Sequence, residues 1–161
     1  MPEKSAQNAD KHADLSSLGA YLGVWKNEGI SKETKYSKVG KNSAETTCNW
    51  SPNHGFLVCD QVVQTPNGKG NDLSIYTYNE KDQTFAFYGL SRENKHVRTP
   101  KLTIEGNRWT YQGEFDDQGK NIRVRTINEF ISATSVTYRT EYSEDSVNWI
   151  VMYEGNSKRL K

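Results

Sequence analysis

Residues 108–129 read RWTYQGEFDDQGKNIRVRTINE. The run Asp117-Gln118-Gly119-Lys120 splits them into two strand-like halves, and glycine supplies the positive φ that tight turns demand. Treating 117–120 as the loop sets Phe115 opposite Ile122, Gly113 opposite Val124, Tyr111 opposite Thr126 and Trp109 opposite Asn128. The alternate positions set Glu114 against Arg123 and Arg108 against Glu129. Apolar groups meet on one face and opposite charges on the other, as cross-strand pairing favours. A one-residue slip would scramble both faces. The stretch therefore predicts an antiparallel hairpin with Trp109, Tyr111, Phe115, Ile122, Val124, Thr126 and Asn128 turned inward.

Two further hairpins chain onto this one. A short loop at 131–133 places Tyr138 opposite Thr126 and Tyr142 opposite Ile122. That register pairs Arg123 with Glu141, but it sets Arg125 against Arg139, a like-charge contact that weighs against it. A loop at 143–146 then places Trp149 opposite Thr140, Val151 opposite Tyr138 and Tyr153 opposite Val136. The interior predicted on this side carries Tyr111, Thr126, Asn128, Tyr138, Thr140, Tyr142, Trp149 and Tyr153, and no charge.

Upstream, residues 46–60 read TTCNWSPNHGFLVCD and hold both cysteines of the chain. A turn at Pro52-Asn53-His54-Gly55, with Gly55 available for φ > 0, pairs Ser51 with Phe56, Trp50 with Leu57 and Cys48 with Cys59. Directly opposed Cβ atoms lie roughly 4.5–5.5 Å apart, within reach of a disulfide after modest adjustment. A cross-strand disulfide and a reduced, buried thiol pair both fit. No CxxC spacing or histidine partner set points to zinc.

The 161 residues suit one domain with a core of its own. Only 34% are hydrophobic and the mean hydropathy is −0.89, so that core is small, while nine Tyr and four Trp favour the pleated surface of strands. Charge is balanced at +1, which excludes the basic stripe of a nucleic-acid binder. No apolar run approaches the roughly 18 residues of a membrane span. Residues 1–12 read as a disordered polar leader and 13–161 as a single β-barrel domain. The leader has no apolar signal core. It fits a periplasmic or secreted protein whose signal has been removed, or a cytoplasmic one.

Asp14 suits the N-cap of one short helix in which Leu15, Leu18 and Leu22 share a face, with Gly23 ending it. Beyond it, turn signals recur at roughly 8–12-residue spacing, the mark of a sandwich or barrel. The count is nine or ten strands: an all-β, antiparallel barrel.

Such an interior suits a cavity. Buried tyrosine hydroxyls need partners, and four inward tyrosines, Tyr111, Tyr138, Tyr142 and Tyr153, are costly as filler. They fit around a polar-tipped apolar or aromatic ligand. In that reading Tyr111, Tyr138, Tyr142, Asn128 and Thr126 supply hydrogen bonds, while Trp109, Trp149 and Tyr153 form walls. A filled barrel whose outer surface binds partners is the other outcome. Catalytic signals are weak. His12, His54 and His96 sit in no metal or nucleophile motif. Glu45, Asp60, Glu114, Glu129 and Glu141 fall on faces assigned to solvent, which disfavours a carboxylate pair. An enzyme of this fold would use buried Tyr or Asn on a bound small molecule, as a cyclase, isomerase or lyase.

The stretch Leu18-Gly19-Ala20-Tyr21-Leu22-Gly23-Val24-Trp25-Lys26-Asn27-Glu28-Gly29 resembles the opening of lipocalin-like, calycin-type barrels and of nitrobindin-like ones. There a short turn precedes a G-x-W strand whose Trp plugs the barrel base. The Cys48–Cys59 hairpin with Trp50 is similar to the uncharacterised bacterial family "domain of unknown function 1579". So is 143–149, near an S-x-D-G-x-x-W pattern in which Ser146 stands where Gly is usual. The resemblance spans about residues 15–155 and implies a barrel with a cavity and Trp25 as its plug. Nitrobindin-like proteins hold haem through a late histidine. This sequence has none after His96, and no cofactor is expected.

Overall fold

The computed structural model describes residues 13–92 and 96–161; the leader expected over 1–12 lies outside the described residues. A 3₁₀ helix (Leu15–Tyr21) comes first. Asp14 caps it, accepting from the Ser16 amide while Ser17 accepts from the Asp14 amide. Eleven strands follow: β1 (Gly23–Ser31), β2 (Gly40–Trp50), β3 (Leu57–Thr65), β4 (Gly68–Asn79), β5 (Thr84–Ser91), β6 (Val97–Arg98), β7 (Lys101–Glu105), β8 (Arg108–Asp117), β9 (Lys120–Ser132), β10 (Ser135–Ser143) and β11 (Ile150–Arg159).

All pairings are antiparallel between sequence neighbours, and β11 returns to pair with β1. β6 and β7 both pair with β5. They act as one strand broken at Thr99-Pro100, where proline cannot donate to a ladder. The result is a closed ten-strand antiparallel barrel with one short helix.

The β8–β9 hairpin has the register read from its sequence, from Phe115 opposite Ile122 to Arg108 opposite Glu129. Its loop is two residues long, with Gln118 at φ 55° and Gly119 at φ 86°, as the favoured hairpin turn requires. Phe115 sits at the rim, 39% exposed. The β2–β3 hairpin also matches: Cys48 opposes Cys59, Trp50 opposes Leu57, and the Ser51 amide donates to Phe56 at 2.8 Å. The left-handed residue in its turn is His54 rather than Gly55. Cys48 and Cys59 form a disulfide.

The next two registers differ from expectation. β9 runs on to Ser132, and a bulge follows Ser135. Tyr138 therefore faces Asn128, Thr140 faces Thr126 and Tyr142 faces Val124, two residues away from the predicted pairing. An even shift keeps every side chain on its face, and it sets Glu141 opposite Arg125 instead of Arg139. Glu141 is not solvated as expected. It is 4% exposed on the outer wall, where Arg125 and Arg139 both donate to its Oε1 at 3.2 Å.

A second bulge, after Thr140, and a longer loop displace β11 further. Tyr153 faces Thr140 and Gly155 faces Tyr138. Asp145 organises that loop, accepting from the Val147 amide at 2.9 Å and the Asn148 amide at 2.7 Å. The loop keeps Trp149 off the inner wall. Its ring lies 3.8 Å from the Arg125 guanidinium on the outside.

The core sits at the end where the helix docks. Leu18, Leu57, Trp109 and Tyr76 are buried there, with Trp50 and Phe130 packed against them. Trp25, 1% exposed, donates from Nε1 to the Tyr21 carbonyl at 2.8 Å. Arg159 covers its ring and donates to the Ala20 carbonyl. At the other end, Ile122, Tyr142 and Met152 form a smaller cluster with Tyr36 of the β1–β2 loop. Tyr36 packs edge-on against Phe115 and Tyr142, and its hydroxyl donates to Asp117 at 2.7 Å.

Candidate functional site

Between the two clusters lies a cavity of about 450 Å³, within the usual size range of small-molecule sites. The 3₁₀ helix and the Trp25–Trp109 layer close its floor. Tyr36 and its partners roof the side formed by β8–β11. The mouth lies on the opposite side, between Lys38 of the β1–β2 loop, Pro66-Asn67 of the β3–β4 turn, and Arg98 of β6.

Each strand contributes by period-two alternation. From the disulfide upward, β2 turns Cys48, Thr46, Ala44 and Asn42 inward, and β3 turns Cys59, Gln61 and Val63 inward. Thr46 Oγ1 accepts from Asn27 at 2.9 Å and from Gln61 at 2.8 Å, so these three amide and hydroxyl groups hold one another. Across the barrel, the Thr126 and Thr140 hydroxyls are 2.8 Å apart. Tyr138 lies flat along the wall. Gly155 and Gly29 leave room for its hydroxyl, which donates to Asn42 at 3.1 Å. An added Cβ at Gly29 would stand 2.3 Å from that hydroxyl.

The deep end holds phenols. Tyr76 and Tyr111 share a hydrogen bond of 3.2 Å, and Asn128 donates to the Tyr21 hydroxyl at 2.6 Å. Burial raises all three pKa values: Tyr76 is pushed up to about 12, while Tyr111 and Tyr21 move well above the ordinary phenol range. They are neutral hydrogen-bonding groups at any physiological pH. Asn128 Oδ1 is buried with no partner. Turning the amide over would leave its NH₂ in that place, so one polar atom beside the cavity stays unmatched either way.

Of the predicted site residues, Tyr111, Thr126, Asn128, Tyr138 and Tyr153 line the cavity. Trp109 lies in the floor, 2% exposed. Tyr142 belongs to the roof cluster, and Trp149 is outside the barrel. The cavity is also not uncharged, because Lys38 and Arg98 stand at its mouth. The β2–β5 wall, with Asn42, Thr46, Gln61, Tyr76 and Phe87, was missed. Alternation outward from the Cys48–Cys59 pair is the signal that finds its β2 and β3 members. Among the described residues no His, Cys, Asp and Glu cluster is placed to hold a metal ion.

The fold and site define a closed antiparallel barrel with an internal cavity open at one end. No protein-family model matches the chain, and no curated protein matches it. Among solved structures it is similar to Rv2717c from M. tuberculosis, with a TM-score of 0.63 and 11% identity, covering 91% of this chain and 97% of that one. That likeness is one of fold alone. A protein of unknown function from the DUF3598 family of Nostoc punctiforme aligns over 92% of this chain and 99% of that one, at a TM-score of 0.27 and 7% identity.

Proposed function

We propose that the protein binds a small apolar or aromatic molecule inside the barrel, as lipocalin-like proteins do. The observation that carries this reading is a roomy cavity of about 450 Å³ lined by hydroxyl- and amide-bearing side chains among aromatic ones. A filled barrel has no reason to leave it. Tyr111, Asn128, Thr126, Tyr138 and Tyr153 supply hydrogen-bonding groups and wall. Raised phenol pKa values make Tyr21, Tyr76 and Tyr111 poorer acids, which supports binding over a cyclase, isomerase or lyase role. The Trp25 plug and the Cys48–Cys59 hairpin support a place beside the family "domain of unknown function 1579". The disulfide also favours a periplasmic or secreted home, where such bonds persist.

The test uses N-phenyl-1-naphthylamine, whose fluorescence rises in apolar surroundings. It is expected to bind saturably with one-to-one stoichiometry, and Ala44→Trp, which fills the cavity from β2, is expected to abolish binding while circular dichroism stays native. Undiminished binding by the filled variant sinks the proposal. Native mass spectrometry of freshly purified protein then gives the mass of any natural ligand released on denaturation.

A further inference from the structure

Lys38 and Arg98 are the charged side chains lining the cavity, and no carboxylate among the described residues lines it. They come from different elements, the β1–β2 loop and β6, and stand at the same mouth. Lys38 makes no ion pair among the described residues, and Asp72 stands 4.0 Å from the Arg98 guanidinium. Arg98 keeps about half of its side chain in water, at 55% exposure. Two cations over a neutral interior give the opening a positive field. The deep groups themselves are neutral phenols, hydroxyls and amides, and the positive charge that reaches them, at Tyr76, is that of Arg98. An acidic group would therefore stay at the mouth, partly hydrated, with the apolar part below it.

We propose that the cavity takes an amphipathic anion: an aromatic or apolar body among Tyr76, Phe87 and Tyr111, and one carboxylate- or sulfonate-type head held by Lys38 and Arg98. This rests on the cavity-binding reading and gives it a chemical class and an orientation.

Two matched probes separate the ideas. 8-Anilino-1-naphthalenesulfonate and N-phenyl-1-naphthylamine share an aromatic body and differ by one sulfonate. At low salt the sulfonate is expected to bind at least roughly tenfold tighter, with the margin shrinking as salt rises. The double variant Lys38→Gln/Arg98→Gln is expected to erase that margin, with both probes still binding. Lys38→Glu should make the sulfonate the weaker ligand. Both probes should lose binding in Ala44→Trp, which assigns them to the cavity. Equal affinities in the parent protein, or a preference that survives the double variant, overturns the anion proposal while leaving the cavity reading standing. If neither probe binds, the cavity reading itself fails.

Discussion

Ser146 takes φ 68° in the loop before β11. That conformation suits glycine and costs an ordinary L-residue roughly 1–2 kcal/mol. The family pattern that 143–149 resembles has Gly at this place, and the observed backbone gives the physical reason. Ser146→Gly is therefore expected to stabilise the protein by about 1 kcal/mol, less some loss to the freer unfolded chain. Chemical denaturation checks it, and a lowered midpoint would refute the strain argument. Single residues were legible where they formed half of a cross-strand pair, as Tyr111 and Asn128 did. Trp149 was not. Its aromatic character fits a barrel wall equally well inside or out, and a cation–π contact with Arg125 decided the matter.

At the scale of elements, the two hairpins with correct registers have short turns marked by turn-forming residues, although in one of them His54 and not Gly55 takes the left-handed place. The two misread registers have bulges, after Ser135 and after Thr140. A bulge adds a residue without any local sequence mark, so counting from a turn fails beyond it. The like-charge clash of Arg125 with Arg139 was the visible symptom. The β9–β10 error was even, the β10–β11 error was even up to Thr140 and odd beyond its bulge, and most of the predicted inner face survived them. The mouth was hidden for another reason: Lys38 lies in a loop and Arg98 in a two-residue strand, where periodicity has nothing to act on. The β2–β3 hairpin carries its own prediction. Its disulfide spans a sequence separation of 11, for which chain-entropy reasoning gives about 2–3 kcal/mol. Cys48→Ala/Cys59→Ala should lower stability by that amount in urea. An unchanged midpoint would show that the strand ladders already hold the hairpin. Intact mass should also be two hydrogens lighter without reductant than with it.

The whole molecule has an alkaline weakness. Folding buries Tyr21, Tyr76 and Tyr111 as neutral phenols, with native pKa values above the unfolded value of about 10. The folded barrel holds these protons more tightly than the open chain. Their contribution to stability is complete below about pH 10 and is lost as pH climbs through the native values, about 12 for Tyr76. Phenolate absorbance during a base titration should show these three tyrosines ionising together with the loss of circular dichroism. Reversible ionisation of all nine tyrosines in a still-folded protein would refute this. The barrel also closes through a seam between its ends. The Val24 amide donates to the Lys161 carbonyl at 3.1 Å, and the Leu160 amide donates to Val24 at 2.7 Å. With β6 and β7 taken as one broken strand, every other ladder joins neighbours in sequence, so this seam alone makes the chain a ring. Joining the ends by a short peptide and reopening the chain at Gln118-Gly119 would keep every ladder and move the break to the rim. In a circularly permuted protein of that kind, cavity, floor and mouth would be unchanged, because the barrel records the cyclic order of its strands and not which of them is made first.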